Sequence, residues 1–221
     1  MRIAILIGSI LTSMSVPAGA VPPVTPPAAF DLPANGTAKF DIAGVRVGMS
    51  PDDVRKAMVK AGYRVGVVSR LESFGGQVAA RIAELRHQSR IAKYDTTWEI
   101  QATGPATESL TVDFDQWPDG PHAVVLSFRA NPDRQSQDAF RSQVEARYGK
   151  PTGRALGVWR WCSPGERQCG PVAIPALPSL DADYQMRSLH LKIGADAAQA
   201  RKALVEAEAR KVVPLQDGSA F

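Results

Sequence analysis

The stretch GVRVGMSPDDVRKAMVKAGY, residues 44–63, decides the fold because it contains a complete helix signal followed by a stop. Ser50 is a favoured N-cap residue, Pro51 suits the first helical position, and Asp53 stands where its carboxylate can reach back to the cap. Gly62 then ends the helix, and extended chain is predicted to follow. The stretch therefore predicts a short helix that opens a folded domain.

The glycines of this stretch do not fit a phosphate-binding loop. A dinucleotide site needs three glycines at fixed spacing, and a nucleotide-hydrolase loop ends in glycine, lysine and serine or threonine. Gly44 and Gly48 lie four positions apart, and Met49 follows them. We therefore interpret the stretch as a structural corner of the fold.

Beyond this helix, apolar and polar residues alternate in several segments, which is the pattern of half-buried strands. The predicted strands are residues 94–102, 110–115, 124–128, 156–161 and 188–193. A turn at 117–121 joins the second and third of them as a hairpin. One apolar and one polar face is typical of an antiparallel sheet that is covered on a single side.

Helical periodicity marks four segments, residues 50–61, 77–93, 136–148 and 196–211, the last with Asp196 as its cap. Helices placed between runs of hairpin strands favour the α+β class. The sequence therefore predicts an antiparallel sheet with helices packed on one face.

A faint internal repeat relates the first and third helices. With a shift of 86 residues, five positions correspond in type: Ser50, Asp52, Val54, Arg55 and Met58 with Ser136, Asp138, Phe140, Arg141 and Val144. Each unit would be a helix or two followed by strands. The sequence leaves open whether residues 39–213 form one domain or two lobes, about 39–130 and 131–213.

The opening stretch also carries a resemblance, at Gly48, Met49, Ser50, Val54, Ala61, Gly62 and Tyr63, with residues 147–152 downstream. It resembles small exported bacterial domains, namely the β-lactamase-inhibitor-protein-like group and the small lipoprotein of the outer-membrane assembly machinery. The resemblance implies helices packed on one face of an antiparallel sheet. It also implies a module that binds proteins and has no catalytic residues.

The N-terminal residues predict export. Arg2 precedes an apolar run at 3–16, and Ala18-Gly19-Ala20 supplies the small residues of a signal-peptide cleavage site. Residues 1–20 are therefore a predicted signal peptide, 21–38 a proline-rich tether, and 214–221 a flexible tail. We expect a periplasmic or secreted protein without a transmembrane segment in the mature chain.

The cysteines and the net charge agree with that compartment. Cys162 and Cys169 are predicted to form a disulfide that closes a hairpin tip. Removal of residues 1–20 takes away one arginine, so 25 basic residues face 22 acidic ones, a charge of +3. So mild a bias gives no reason to expect nucleic-acid binding.

No catalytic constellation is visible in the sequence. The motifs Gly-x-Ser-x-Gly, His-Glu-x-x-His and Ser-x-x-Lys do not occur. His87, His122 and His190 are interpreted as surface or edge residues. Asp113 and Asp115 share the polar face of one strand and are interpreted as solvated acids facing Arg129. We predict no enzyme activity, no cofactor and no metal, with a hydrolase that uses the two aspartates as an alternative.

Two groups of residues are candidate partner contacts. Trp159 and Trp161 flank the predicted disulfide, where they form core if a helix covers them and a binding hot spot if their face is open. Arg86, Arg90 and Lys93 form a basic stripe on the second predicted helix, suited to an acidic partner or anionic lipid headgroups.

These observations favour an exported, non-enzymatic protein that binds another protein or a component of the cell envelope. An enzyme-inhibitor-like protein, with the two tryptophans and the disulfide loop as its contact edge, is the main alternative. The sequence predicts neither the partner nor the oligomeric state.

Overall fold

A computed structural model of the chain describes residues 40–155, 157–166, 169–170 and 173–213. The predicted signal peptide, tether and tail lie outside these residues. The elements follow one another as α1 (Pro51–Lys60), β1 (Arg64–Leu71), α2 (Phe74–Leu85), β2 (Thr96–Thr103), β3 (Ser109–Trp117), β4 (Gly120–Arg129), α3 (Gln137–Tyr148), β5 (Gly153–Ala155), β6 (Val158–Cys162), β7 (Ser179–Asp183), β8 (Ser188–Lys192) and α4 (Ala195–Val212).

All eight strands belong to one antiparallel sheet, in the order β1-β2-β3-β4-β8-β7-β6-β5. The predicted α+β class is confirmed. In each half of the chain, one helix precedes a four-stranded meander: α1 before β1 to β4, and α3 before β5 to β8. The two meanders meet where β4 pairs with β8, so both halves contribute to one continuous sheet.

Local cap chemistry sets the start of both repeated helices. The Ser50 hydroxyl accepts a hydrogen bond from the Asp53 N–H at 3.3 Å and donates one to the Asp53 carboxylate at 2.9 Å. The Ser136 hydroxyl accepts from the Ala139 N–H at 3.2 Å. Gly62 and Gly149 follow these helices with φ of 82° and 79°, a conformation that glycine adopts without strain. The predicted starts of α1 and α3 are therefore confirmed.

Helices α1 and α3 cover the apolar face of the sheet. Their buried side chains pack on core residues from six strands. The buried helical residues are Val54, Met58, Phe140, Val144 and Tyr148, and the strand residues include Ile100, Leu110, Val112, Phe114, Leu126, Trp161, Leu180, Leu189 and Leu191. Burial of this apolar surface is the main source of stability of the fold.

Helices α2 and α4 pair with each other instead. Arg81 lies 2.6 Å from Glu206, and Arg201 donates to Gln77 at 2.7 Å. Arg201 also lies 3.0 Å from Asp115, which points away from the apolar face of β3. Helix α4 therefore reaches the opposite face of the sheet at one end, a contact that the one-sided prediction did not include.

The second and fourth helices differ from their predicted bounds. Helix α2 begins after its cap Ser73 and ends at Leu85, where the sequence predicted 77–93. His87 has a φ of 53°, which is incompatible with a continuing helix. Helix α4 starts after Gly194, and Asp196 lies within its first turn instead of capping it. Strands β1, β5 and β7 are additional to the predicted strands.

The Cys162–Cys169 disulfide is present, with Cα atoms 5.9 Å apart. Cys162 ends β6, and Cys169 lies in the long loop that joins β6 to its antiparallel partner β7, so the disulfide lies at the loop end of this hairpin. The Cys169 sulfur lies 3.0 Å from the Thr152 hydroxyl, and a Cβ at position 153 would come within 2.5 Å of the Cys169 carbonyl oxygen. Glycine at that position therefore lets the disulfide loop lie against β5.

Candidate functional site

The face of the sheet opposite α1 and α3 is polar, and we refer to it as the polar face. Its side chains form three cross-strand rows. The rows are Glu99-Asp113-Val125-Lys192-Ser179-Cys162, Gln101-Thr111-Ser127-His190-Asp181-Arg160 and Thr103-Ser109-Arg129-Ser188-Asp183-Val158. Each row crosses the junction between β4 and β8, so both halves of the chain build this surface.

The middle of the polar face is a shallow cavity of about 500 Å³. The first half lines it with Ser109, Thr111, Ser127, Phe128 and Arg129, and the second half with Val158, Asp181, Asp183, Met186, Ser188, His190 and Lys192. Hydroxyl, carboxylate, imidazole and cationic groups are therefore concentrated in one place. Such a surface can donate and accept hydrogen bonds over its whole width.

His190 occupies the centre of this cavity. Its Nδ1 lies 3.1 Å from the Ser127 hydroxyl on the neighbouring strand. Burial, reinforced by the Lys192 ammonium group, lowers the pKa of His190 below its ordinary value. The imidazole is therefore neutral at pH 7 and is able to exchange a hydrogen bond with the serine.

The next residue in the row, Asp181, is held by a cation. The Arg160 guanidinium donates to both of its carboxylate oxygens, at 2.7 and 3.1 Å, and Lys192 lies 3.7 Å away. Arg160 also donates to the carbonyls of Gly170 and Ala173 at 3.1 and 2.9 Å. This network attaches the β6–β7 loop to the polar face and fixes the side chains in place.

One row brings together Ser127, His190 and Asp181, the residue types of a nucleophilic triad. Their hydrogen-bond partners differ from those in a triad. In such a triad the carboxylate orients the imidazole. Here the Asp181 carboxylate makes its bidentate contact with Arg160 instead. The carboxylate of the row is therefore engaged by a guanidinium, and the imidazole contacts the serine.

The two aspartates considered as a hydrolytic pair lie outside the residues that line the cavity. Asp115 is bound to Arg201 of α4, and Asp113 stands opposite Glu99 and Val125. Burial raises the pKa of both carboxyl groups, with the Glu99 charge adding to the effect at Asp113. The expectation that they face Arg129 is wrong, because that arginine stands opposite Ser109.

The two tryptophans lie on the helix-covered face. Trp161 is 2% exposed, and its indole N–H donates to the Gly149 carbonyl at 3.0 Å. Trp159 is half-buried, with its ring 5.8 Å from Tyr184 and the Arg154 guanidinium 4.5 Å above it. Of the two alternatives open from the sequence, core packing therefore describes Trp161, which is not available to a partner in this fold.

The predicted basic stripe does not form, because residues 86–93 follow α2 without continuing it. Arg90 binds the Glu72 carboxylate through two contacts, at 2.7 and 2.9 Å. The Lys93 N–H donates to the same carboxylate at 2.9 Å, and its ammonium group lies 3.7 Å from Asp95. Arg86 is the exposed C-cap of α2. These residues therefore do not form a single helical face.

The histidines differ in their surroundings. His87 is exposed, and His122 Nδ1 lies 2.9 Å from the Gly48 carbonyl oxygen. His190 was placed on a polar strand face by its alternation, but the sequence gives no sign that the face is uncovered or that Ser127 and Asp181 flank it. Ser127 comes from a strand that is distant in the chain, whereas Asp181 comes from the strand just before His190.

In the part of the chain that the structure describes, no group of three or more histidine, cysteine, aspartate or glutamate residues is arranged to hold a metal ion. The helices of those residues include none with the length and apolar character needed to cross a membrane. Comparisons with protein-family models, with curated proteins and with solved structures find no match.

Proposed function

We propose that the protein is exported and acts as a non-enzymatic binding module that recognises another protein of the cell envelope through its polar face. The observation that carries this proposal is the shallow cavity of about 500 Å³ lined by hydrogen-bonding and charged side chains from both halves of the chain. The resemblance of residues 44–63 to exported protein-binding domains is consistent with it.

The dimensions of the polar face suit a protein partner better than a small molecule. Its rows cross six strands, and at about 4.8 Å between strands they extend for roughly 24 Å. Small-molecule sites are usually deep and enclose most of their ligand, whereas this cavity is open. A protein surface can cover the whole face and exchange hydrogen bonds along each row.

The fixed side chains of the polar face support a binding role. The Arg160–Asp181 pair and the Ser127–His190 contact hold the central row in one arrangement before any partner arrives. A surface that is already ordered loses less side-chain entropy on binding. Export is supported by the disulfide, which persists in oxidising compartments, and by the predicted signal peptide.

Site-specific photo-cross-linking in cells that express the full chain tests this proposal. The cross-linking amino acid is placed at Thr111 or Arg129, on the polar face, and at Asp138, on the exposed surface of α3, as the control. We expect both polar-face positions to give the same discrete cross-linked protein and the control to give none. Equal products from all three positions, or none from the polar face, would contradict a specific interface there.

A second measurement separates binding from catalysis. A fluorophosphonate probe labels serines that a neighbouring base has activated. We expect no labelling of Ser127, because Asp181 is committed to Arg160. Stoichiometric labelling that disappears in Ser127→Ala would show a hydrolase and overturn the non-enzymatic role.

A further inference from the structure

The two outer strands of the sheet differ in length and protection. Strand β5 has three residues, and the loop that carries Cys169 lies against it. Strand β1 has eight residues and pairs only with β2 among the described strands. Its register against β2 shifts between Val65 and Val68 and again between Ser69 and Arg70, and outside these irregularities its outer N–H and C=O groups form an edge on which another strand can pair.

Exposed apolar side chains lie along this edge. Val68 stands opposite Ile100 and Trp98 lies two residues before it, so both are on the helix-covered face, yet they are 39% and 43% exposed. Val67 and Tyr94 are exposed as well, at 57% and 63%. Contiguous exposed apolar residues of this kind mark interaction surfaces.

The same edge is basic. Arg64 and Arg70 are exposed, and within the described residues no ion pair holds either guanidinium. Glu72, which follows β1, is neutralised by Arg90. A second copy of this chain would bring two basic edges together. An acidic segment would complement the charge.

We propose that β1 accepts an extended, acidic segment of another protein as a ninth strand of the sheet. Backbone hydrogen bonds hold the segment to β1, its apolar side chains cover Val68 and Trp98, and its carboxylates approach Arg64 and Arg70. This site is separate from the polar face, and it does not require that the polar face bind anything.

A synthetic peptide of about nine residues that alternates valine with glutamate or threonine is the probe, because it spans the strand. Amide hydrogen exchange of the full chain is followed by NMR with and without the peptide. We expect slower exchange at the β1 amides that do not bond to β2. Two control peptides are used: one has lysine in place of glutamate, and the other is N-methylated at alternate amides. Each is expected to slow exchange at these β1 amides at least tenfold less than the acidic peptide does.

The double variant Val68→Gln/Trp98→Gln is expected to weaken peptide binding by about tenfold. The matched control, Val59→Gln/Ile174→Gln, removes exposed apolar side chains elsewhere and is expected to bind as the natural chain does. Exchange at Leu126, in the core of β4, verifies that each variant is folded.

Several results would overturn the proposal. No protection by the acidic peptide, or equal protection by the lysine or N-methylated peptides, would exclude this mode of pairing. Protection of β1 that grows with protein concentration in the absence of peptide would show that a second copy is the occupant. Protection confined to Ser127 and His190 would place the peptide on the polar face instead.

Discussion

The two halves of the chain fold into the same unit, but they differ at the outer strand of the sheet and in the connection that follows it. Each starts with a serine-capped helix and continues into a four-stranded meander. In the first half, α2 and the segment after it separate the first two strands, and the outer strand is long. In the second half the corresponding connection is a short turn, and the outer strand has three residues.

The difference shows that two copies of one structural unit can have outer strands that are held in different ways. At the outer end of the second half, a disulfide and the Arg160–Asp181 pair tie the loop to the sheet. At the outer end of the first half, no described strand pairs with the outer side of β1, and this edge is basic and partly apolar. Helices α1 and α3 pack on one shared core, so this part of the structure is common to both halves.

Core truncation in either half should destabilise the whole molecule. Phe140→Ala is expected to cost about 3–5 kcal/mol and Met58→Ala about 2–5 kcal/mol, because both side chains are buried between their helix and the sheet. Urea unfolding should show a single transition in both variants, since β4 and β8 join the halves. Two separate transitions, one unchanged by the mutation, would show that the halves are independent lobes.

Breaking the buried ion pair of the second half should cost about 3 kcal/mol. Asp181→Ala leaves the Arg160 guanidinium, 17% exposed, without its carboxylate. The matched control in the first half is Asp52→Ala, whose partner Arg55 is on the surface, and it should cost less than about 1 kcal/mol. Chemical denaturation measures both. Equal losses of unfolding free energy in Asp181→Ala and Asp52→Ala would show that the burial of an ion pair does not change the cost of breaking it.

Removal of the disulfide should cost about 2 kcal/mol, because its loop is short. The comparison is between the natural chain and Cys162→Ser/Cys169→Ser, by the free energy of unfolding. Amide exchange should accelerate in β5 and β6 and remain unchanged in β1. A change in β1 would show that the two sheet ends are coupled.

The two serine caps should contribute equally. Ser50→Ala and Ser136→Ala each remove the acceptor for a helix N–H and should each cost about 1 kcal/mol. Thermal unfolding of the two variants measures the difference. A loss confined to Ser50→Ala would show that the additional hydrogen bond to Asp53 carries the effect.

Asp113→Asn should stabilise the first half slightly, by about 0.5 kcal/mol at pH 7, because it removes a carboxylate opposite Glu99. Burial raises the pKa of Asp113, so the fold favours its protonated form. The penalty therefore develops as pH rises from the ordinary aspartate pKa of about 3.9 through the raised value. Below that range the variant and the natural chain should have equal stability, as denaturation at several pH values will show.

The starts of the repeated helices could be predicted from the sequence because capping is local. Ser50, Asp53 and Ser136 lie within one turn of the groups they bind. The α+β class followed from strand alternation in the same way, since each face of a strand is read from neighbouring residues. These inferences needed no knowledge of the rest of the chain.

The polar face could not be predicted, because its chemistry depends on partners far apart in sequence. Asp181 lies within β7, and the Arg160 that pairs with it lies on β6, 21 positions earlier in the chain. The end of α2 was also misplaced, because the residues after it favour helix individually while His87 adopts a positive φ. Which face α4 reaches depends on the contact between Arg201 and Asp115.

The junction between β4 and β8 sets an order of folding. Within each meander the paired strands follow one another in the sequence, whereas β4 pairs with β8, which is the last strand of the second meander. Before β8 has formed, the side of β4 on which Leu126 will pair with Leu191 of β8 is an open edge. The rest of the first half can already be folded at that stage. Such late, non-local pairing slows folding and leaves a partly folded chain prone to aggregation. A chain that is synthesised from its N-terminus therefore passes through a stage in which β4, a central strand of the finished sheet, is an exposed edge that can aggregate.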